Sequence, residues 1–188
     1  MSTAEHYLAD VLLQFRKTKQ LGDGALAQVS DADLFRTLDA ETNPIAIVMK
    51  HMSGNMRSRW TDFLTSDGEK PDRRRDAEFE HESGDTAGSL RARWEQGWAL
   101  CFAAIEPLTT ADLRRTVTIR GEPHTVLQAI ARQVSHYAYH VGQIVYLARH
   151  LAGERWRSLS IPKGMSGQFE VGRDGRPYDL PDGAASKP

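Results

Sequence analysis

Four long segments of this 188-residue chain carry apolar residues at the spacing of an α-helix. This spacing predicts helices over residues 3–29, 44–65, 87–106 and 126–151. Almost no strand pattern interrupts them. We therefore expect an all-α fold, in which four amphipathic helices pack as a four-helix bundle.

Local signals add detail at the ends of these segments. Asn43 before Pro44 is typical of an N-cap followed by proline in the first helical turn. Thr125 with Gln128 three residues later predicts a capping box at the start of the fourth helix. The alternating stretch 116–119 indicates a small hairpin or an extended loop.

The connection between the second and third predicted helices bears on which helices are neighbours. It is a mostly polar segment of roughly 20 residues, whereas bundle connections typically have 2–8. That length suits a crossover along the bundle, which would make these two helices parallel and place the fourth antiparallel beside the second. In a plain up-down-up-down bundle the second and fourth helices would instead lie on a diagonal.

A chain of this length fits one domain. We expect the bundle to occupy residues 1–152. Residues 153–188 are rich in Gly and Pro, and we expect them to form an irregular C-terminal extension packed on the same domain. Trp156, Ile161 and Phe169 are candidate anchors for this extension.

Composition excludes several classes of partner. The chain has 24 Lys and Arg against 25 Asp and Glu, so nothing in its net charge of -1 predicts binding to nucleic acid or an anionic membrane. No apolar run is long enough to span a bilayer, and the N-terminus lacks a signal-peptide pattern. The single cysteine, Cys101, excludes an intramolecular disulfide. We expect a cytoplasmic protein.

The motif His136-Tyr-Ala-Tyr-His140 lies inside the fourth predicted helix. Side chains at positions i and i+4 project about 40° apart around a helix axis, so both imidazoles can reach one ion. Neutral imidazole is the commonest protein ligand for transition metals. Solvated histidines on a helix flank are the alternative, and a metal site needs a third ligand.

His51 is the candidate third ligand. On a helical wheel, it has the same position relative to the apolar face of the second helix as His136 has in the fourth. If the two helices are antiparallel neighbours, His51, His136 and His140 meet in a cleft at the edge of the bundle. His150 shares the face of His136 but lies about 21 Å further along the axis, too far for the same ion.

Other chemical motifs are weaker. His136 to His140 lacks the glutamate of a metalloprotease HExxH helix. The stretch Glu78-Phe-Glu-His81 has ExxH spacing, but it lies in a polar loop, and a carboxylate di-iron bundle needs two such motifs on core helices. Cys101 falls on the apolar stripe of its helix, which favours a packing role over a nucleophilic one.

Three neutral imidazoles leave open coordination positions, as in catalytic rather than structural zinc sites. Asn55 lies one turn beyond His51, and Gln143 is similarly placed beside His140. We regard these two side chains as candidates for supporting the ligands or contacting a substrate. The sequence assigns no catalytic residue.

Two histidine motifs therefore occur together, one in the second predicted helix and one in the fourth. They are Lys50-His51-Met52 and Ser135-His136-Tyr-Ala-Tyr-His140-Val-Gly-Gln143. In a chain of four helices this pair resembles the DinB/YfiT-like superfamily. A branch of that superfamily with unassigned function is also similar over 50–63, Asp67-Gly68-Glu69-Lys70 and Ser160-Ile161-Pro162, and the resemblance extends from about residue 5 to 170.

The resemblance implies an up-down-down-up bundle, a divalent metal held by His51, His136 and His140, and a homodimer. Characterised members of the superfamily include thiol S-transferases that use bacillithiol, mycothiol or glutathione, and a mycothiol-dependent isomerase. We therefore expect a zinc or nickel ion and a small-molecule substrate, with a low-molecular-weight thiol as cosubstrate. A metal-dependent hydrolase is the alternative enzyme, and a non-enzymatic, stress-associated metal-binding protein is the alternative outside catalysis.

Overall fold

The computed structural model describes residues 2–168, which are mostly helical. The four long helices in this range are α1 (Thr3–Leu26), α2 (Ile45–Trp60), α3 (Ala87–Ile105) and α4 (Val126–Ala152). A two-stranded antiparallel sheet, β1 (Thr116–Ile119) with β2 (Glu122–Thr125), precedes α4. The predicted helices and the predicted hairpin are therefore confirmed, and the sheet makes the fold mostly rather than wholly helical.

Helix ends differ from the prediction where the chain turns early. Helix α2 ends at Trp60, and not at residue 65, because Thr61 is extended and Asp62 has a left-handed φ of 49°. This turn buries Phe63 against Trp60, with ring centroids 4.9 Å apart. Helix α1 likewise ends at Leu26 and not at residue 29.

The predicted N-cap at Asn43 was wrong. Pro44 is the N-cap of α2, with an extended ψ of 164°, and its carbonyl accepts the backbone N–H of Val48 at 3.2 Å. No side chain caps this end. At α4 the predicted capping box is present, since Thr125 and Gln128 each accept the other's backbone N–H.

An aromatic cluster joins all four helices in the core. It contains one ring from each helix, with centroids 5.6–6.4 Å apart: Phe15, Trp60, Trp98 and Tyr137. Trp60 Nε1 donates to the Tyr137 hydroxyl at 2.8 Å, so this buried polar pair also links α2 to α4. Cys101 is fully buried beside the cluster, and burial raises the pKa of its thiol well above 9.0.

Helix α2 is the most enclosed helix. Fourteen of its sixteen residues are buried, because α3, α4 and the segment that follows α2 all cover it. We call residues 61–86 the connecting segment. Its first part is tied to the hairpin, where Gly68 N donates to the Thr118 carbonyl and the Asp67 carboxylate accepts the backbone N–H groups of Arg120 and Gly121. Its later part contains a short 3-10 turn at Asp76–Phe79.

After α4, short 3-10 turns lie at Gly153–Arg155 and Ser166–Gln168, and residues 156–165 between them are irregular. Trp156 packs against the core, and Ile161 is half-buried. The third predicted anchor, Phe169, lies outside the described residues. None of the helices within residues 2–168 is long and apolar enough to cross a membrane.

Candidate metal centre

The structure brings together the three histidines that the sequence singled out. His51 comes from α2, and His136 and His140 come from successive turns of α4. One ring nitrogen of each lies within 4.8 Å of the others, and the Nε2 atoms of His51 and His136 are 3.4 Å apart. The rings of His136 and His140 have centroids 4.6 Å apart. His150 is exposed near the end of α4 and is not part of this cluster.

His51 is more deeply buried than its place at the edge of the apolar stripe indicates. Its exposed fraction is 4%, while His136 and His140 are half-buried. The connecting segment covers the flank of α2 that a bare helix would leave open. The cluster is therefore closed on the α2 side and more open on the α4 side.

A buried carboxylate orients His51. Glu78, in the 3-10 turn of the connecting segment, places Oε2 2.9 Å from His51 Nδ1. Burial alone would raise the pKa of Glu78, but hydrogen bonds from Arg73 and His51 outweigh it and hold the pKa below 4.5. An ionised carboxylate only accepts, so His51 Nδ1 carries a hydrogen. In the neutral ring this leaves the lone pair on Nε2, the atom that faces His136.

Arg73 holds this carboxylate in place. Its Nε and Nη2 atoms donate to the two oxygens of Glu78, each at 2.8 Å, which is the bidentate geometry of a strong ion pair. The carboxylate also lies directly against Gly54 of α2, where any side chain would overlap Glu78 Oε1. A glycine at this position lets the connecting segment approach the helix.

Sequence reasoning missed Glu78. Its ExxH partner, His81, packs its ring on Phe35 at 5.3 Å and takes no part in the cluster. No helical or strand spacing relates residue 78 to residue 51, because the two lie on different elements. The available signal is the run of acidic residues around Arg73, Arg74 and Arg75, a pattern that is equally typical of a solvated loop whose charges cancel.

Gln143 and Asn55 occupy different surroundings. Gln143 Oε1 accepts from His140 Nδ1 at 2.8 Å, and its Nε2 donates to the Tyr139 hydroxyl at 3.3 Å. Asn55 Oδ1 accepts from the Tyr137 hydroxyl at 3.1 Å and so belongs to the α2–α4 contact in the core. Gln143 is thus placed to orient the His140 ring. Asn55 contacts none of the three histidines by a hydrogen bond and instead bonds Tyr137, the neighbour of His136 in sequence.

His136 has no such support within residues 2–168. Its Nδ1 atom is buried without a hydrogen-bond partner. Burial, followed by the neighbouring His140 and His51, lowers the pKa of His136 to about 3. Burial also lowers the pKa of His140 below 6.5. Both imidazoles are therefore neutral at pH 7, which is the form that binds a metal.

A family profile matches nearly the whole of this described region. It is described as a protein of unknown function, DUF1572, and it covers residues 2–165. The chain belongs to the DUF1572 family. No curated protein and no solved structure shows a match.

The donor set of this DUF1572 chain fits a divalent metal. In a tetrahedral zinc site with Zn–N bonds of about 2.0–2.1 Å, two nitrogens lie about 3.3 Å apart. The 3.4 Å between the Nε2 atoms of His51 and His136 matches that spacing. The Nδ1 atoms of His51 and His140 already face oxygen acceptors, which leaves their Nε2 atoms as metal donors.

Two exposed aromatic rings border the histidine cluster. Phe79 packs on His51 with ring centroids 4.7 Å apart, and Tyr139 packs on His140 at 5.0 Å. Their exposed fractions are 37% and 64%, so both rings are available to a molecule that approaches the imidazoles. The arrangement can combine a metal with apolar contacts to a small substrate.

Proposed function

We propose that this protein binds a single divalent metal ion, zinc or nickel, through His51, His136 and His140, and that it is a metal-dependent enzyme. The observation that carries the proposal is the convergence of three imidazoles, with Nε2 of His51 3.4 Å from Nε2 of His136. The buried Glu78 supports it, because metal-binding histidines usually donate their second N–H to a carboxylate or another oxygen acceptor.

The helix arrangement that we propose is the up-down-down-up bundle of the DinB/YfiT-like superfamily. Helix α2 contacts both α3 and α4, and α1 contacts α4. Tyr7 near the start of α1 donates to the Leu127 carbonyl near the start of α4, and Gly22 near the end of α1 lies beside Val141. The order of these contacts supports a parallel α1–α4 pair, as such a bundle requires.

The activity that we propose is an S-transferase reaction with a low-molecular-weight thiol. A metal held by three neutral imidazoles keeps open positions and lowers the pKa of a thiol or water there. Cys101 is buried in the core with a raised pKa, so the protein's own thiol is not placed to react. Phe79 and Tyr139 would hold the apolar part of the substrate, and Glu78 would keep His51 Nε2 turned toward the cluster.

Metal analysis tests the site. We would measure metal content of the full-length protein by mass spectrometry after reconstitution with zinc or nickel. The variants His51→Ala, His136→Ala and His140→Ala should each lose the ion, and His150→Ala should keep it. Full metal content in all three cluster variants would exclude the site.

A thiol screen tests the reaction. Metal-reconstituted protein would be assayed with bacillithiol, mycothiol, glutathione and cysteine against a model electrophile. We expect metal-dependent conjugation with one of them, lost in His51→Ala and kept in Cys101→Ser. Metal binding without conjugation would instead favour the hydrolase, to be assayed with ester substrates, or the non-catalytic metal-binding protein.

The homodimer also remains a proposal. Leu21 of α1 and Tyr146 of α4 border a groove between these helices, and their exposed fractions are 40% and 72%. Aromatic side chains such as Tyr146 are enriched at protein interfaces relative to the rest of the surface. Light scattering of the wild type and of Tyr146→Glu tests the assembly, and a monomeric wild type would exclude it.

A further inference from the structure

A second cavity lies on the far side of Glu78 from His51. It has a volume of about 370 Å³, within the size range of small-molecule sites. It is lined by α2, α3 and the connecting segment and is open to solvent on one side. Small residues are part of its lining, namely Ser53, Ala77 and Gly97. None of the three histidines lines this cavity.

The lining of this cavity is rich in cations. Five basic and three acidic side chains line it. Two of the basic groups have buried side chains that are already paired with acidic residues. Lys50 Nζ donates to the Glu80 carbonyl, Glu82 and Asp85, and Arg73 donates to Glu78 and Glu69. These inner ion pairs form the wall of the cavity next to α2.

The other three basic groups are arginines with donors to spare. One stands on each element that encloses the cavity: Arg57 on α2, Arg74 on the connecting segment and Arg93 on α3. A guanidinium has five N–H donors. Within the described residues Arg57 donates only to Asp72 and Arg93 only to Asp85, while Arg74 reaches Glu82 at 3.7 Å without a hydrogen bond.

The acidic partners of two of these arginines compete weakly. Asp72 and Glu82 have side-chain exposed fractions of 68% and 47%. Exposed ion pairs of this kind contribute little to stability, so a ligand oxyanion can replace them or add to them. Guanidinium groups on three different walls suit a molecule with an anionic group at each end, because each carboxylate or phosphate can accept two N–H groups.

We propose that this cavity is a binding site for a small molecule with two anionic groups, either carboxylates or phosphates, held by Arg57, Arg74 and Arg93. Such a ligand would lie against the Arg73–Glu78 pair, one side chain away from His51. The site is nevertheless separate from the histidine cluster and does not depend on a metal.

Calorimetric titration with glutarate and with pyrophosphate tests this proposal and separates the two anion chemistries. The full-length protein would be titrated as purified and after chelator treatment and dialysis. We expect one of the two probes to bind both forms. The double variant Arg57→Ala/Arg74→Ala should weaken binding by about tenfold or more, since it removes charge-assisted hydrogen bonds.

Two controls keep the result specific. Arg16→Ala removes an arginine whose exposure lies between those of Arg57 and Arg74. Arg16 pairs with Glu106 at 2.9 Å, outside the cavity lining, and its loss should leave binding unchanged. Ala77→Phe fills the cavity without changing charge and should abolish binding, with folding checked by circular dichroism. No binding of either probe, an equal loss in Arg16→Ala, unchanged binding in folded Ala77→Phe, or a dependence on the metal and His51 would each overturn the proposal.

Discussion

On the α2 side of the histidine cluster, His51 is buried and oriented by an ionised carboxylate that Arg73 holds at two points. On the α4 side, His140 is hydrogen-bonded to the neutral amide of Gln143, and His136 Nδ1 is buried without a partner in the described residues. Both sides supply imidazoles to the same cluster, but only the α2 side is held by charged groups in the interior.

This contrast indicates a division of roles. A histidine with a buried ionic partner has one tautomer and one orientation, so it presents a metal donor before any metal arrives. The α4 histidines have weaker supports, so we expect them to adjust their rotamers if an ion binds. We therefore expect changes on the α2 side to cost more than matched changes on the α4 side.

The largest difference between the two sides should appear in the free energy of unfolding when His51 of α2 or His136 of α4 is replaced. His51→Ala and His136→Ala should both lose the metal, but without metal they should differ in stability. His51→Ala leaves the buried Glu78 short of a donor and should cost about 1–3 kcal/mol. His136→Ala removes an unpaired polar group and should cost about 1 kcal/mol or less. Urea unfolding of the metal-free variants measures both, and equal costs would break the comparison.

Glu78→Gln should have the next largest effect. The amide keeps the shape of the side chain but removes the charge that orients His51, so metal affinity should fall about 10- to 100-fold. Competition with a chromogenic chelator measures the affinity. Glu80→Gln, two residues along the chain and exposed, is the matched control and should bind metal like the wild type.

Gln143→Ala should have a smaller effect on the same measurement. The hydrogen bond it removes is between neutral groups at a half-buried position, so we expect an affinity loss of less than about tenfold. A loss as large as that of Glu78→Gln would show that the two sides of the cluster are equally supported.

Replacement of Asp67 should lower the free energy of unfolding and leave the histidine cluster unchanged. We expect this to be the smallest of the four effects. Burial raises the pKa of the Asp67 carboxyl. Hydrogen bonds from the backbone N–H groups of Glu69, Gly121 and Arg120 lower it by more, so that the pKa is about 2. Because the folded pKa lies below 3.8, this stabilisation is present above pH 3.8 and is lost as the pH falls through about 2.

The variant Asp67→Asn should therefore lose about 1 kcal/mol at pH 7 and less near pH 2, with normal metal binding. Urea unfolding at the two pH values measures the difference. A cost that does not change with pH would mean that the Asp67 charge has no part in holding the connecting segment to the hairpin.

The residues that the sequence predicted well are those that share one regular element. The spacing of apolar residues located α4 at 126–151, one residue short of the observed end, and the helical wheel grouped His136 and His140. The same wheel placed His51 at a matching position on α2. Periodicity is sufficient here because each helix repeats its geometry along its length.

Periodicity could not predict how the connecting segment folds over α2. Contacts between this irregular segment and α2 bury His51 and bring Glu78 to it. The ion pair of Arg73 with Glu78 lies within the same segment. The early end of α2 has the same origin, because a left-handed residue at Asp62 redirects the chain into that segment. Such turns follow from tertiary packing, which a repeat pattern does not encode.

The histidine cluster joins parts of the chain that are far apart in sequence. His51 is 85 residues from His136 and 27 from Glu78. An unfolded chain cannot hold three imidazoles at this spacing, so the ion would bind the folded protein and hardly the unfolded one. By mass action, free metal at about 100 times its dissociation constant would add about 2.7 kcal/mol to folding. The amount of folded protein in a cell would then rise and fall with the supply of metal.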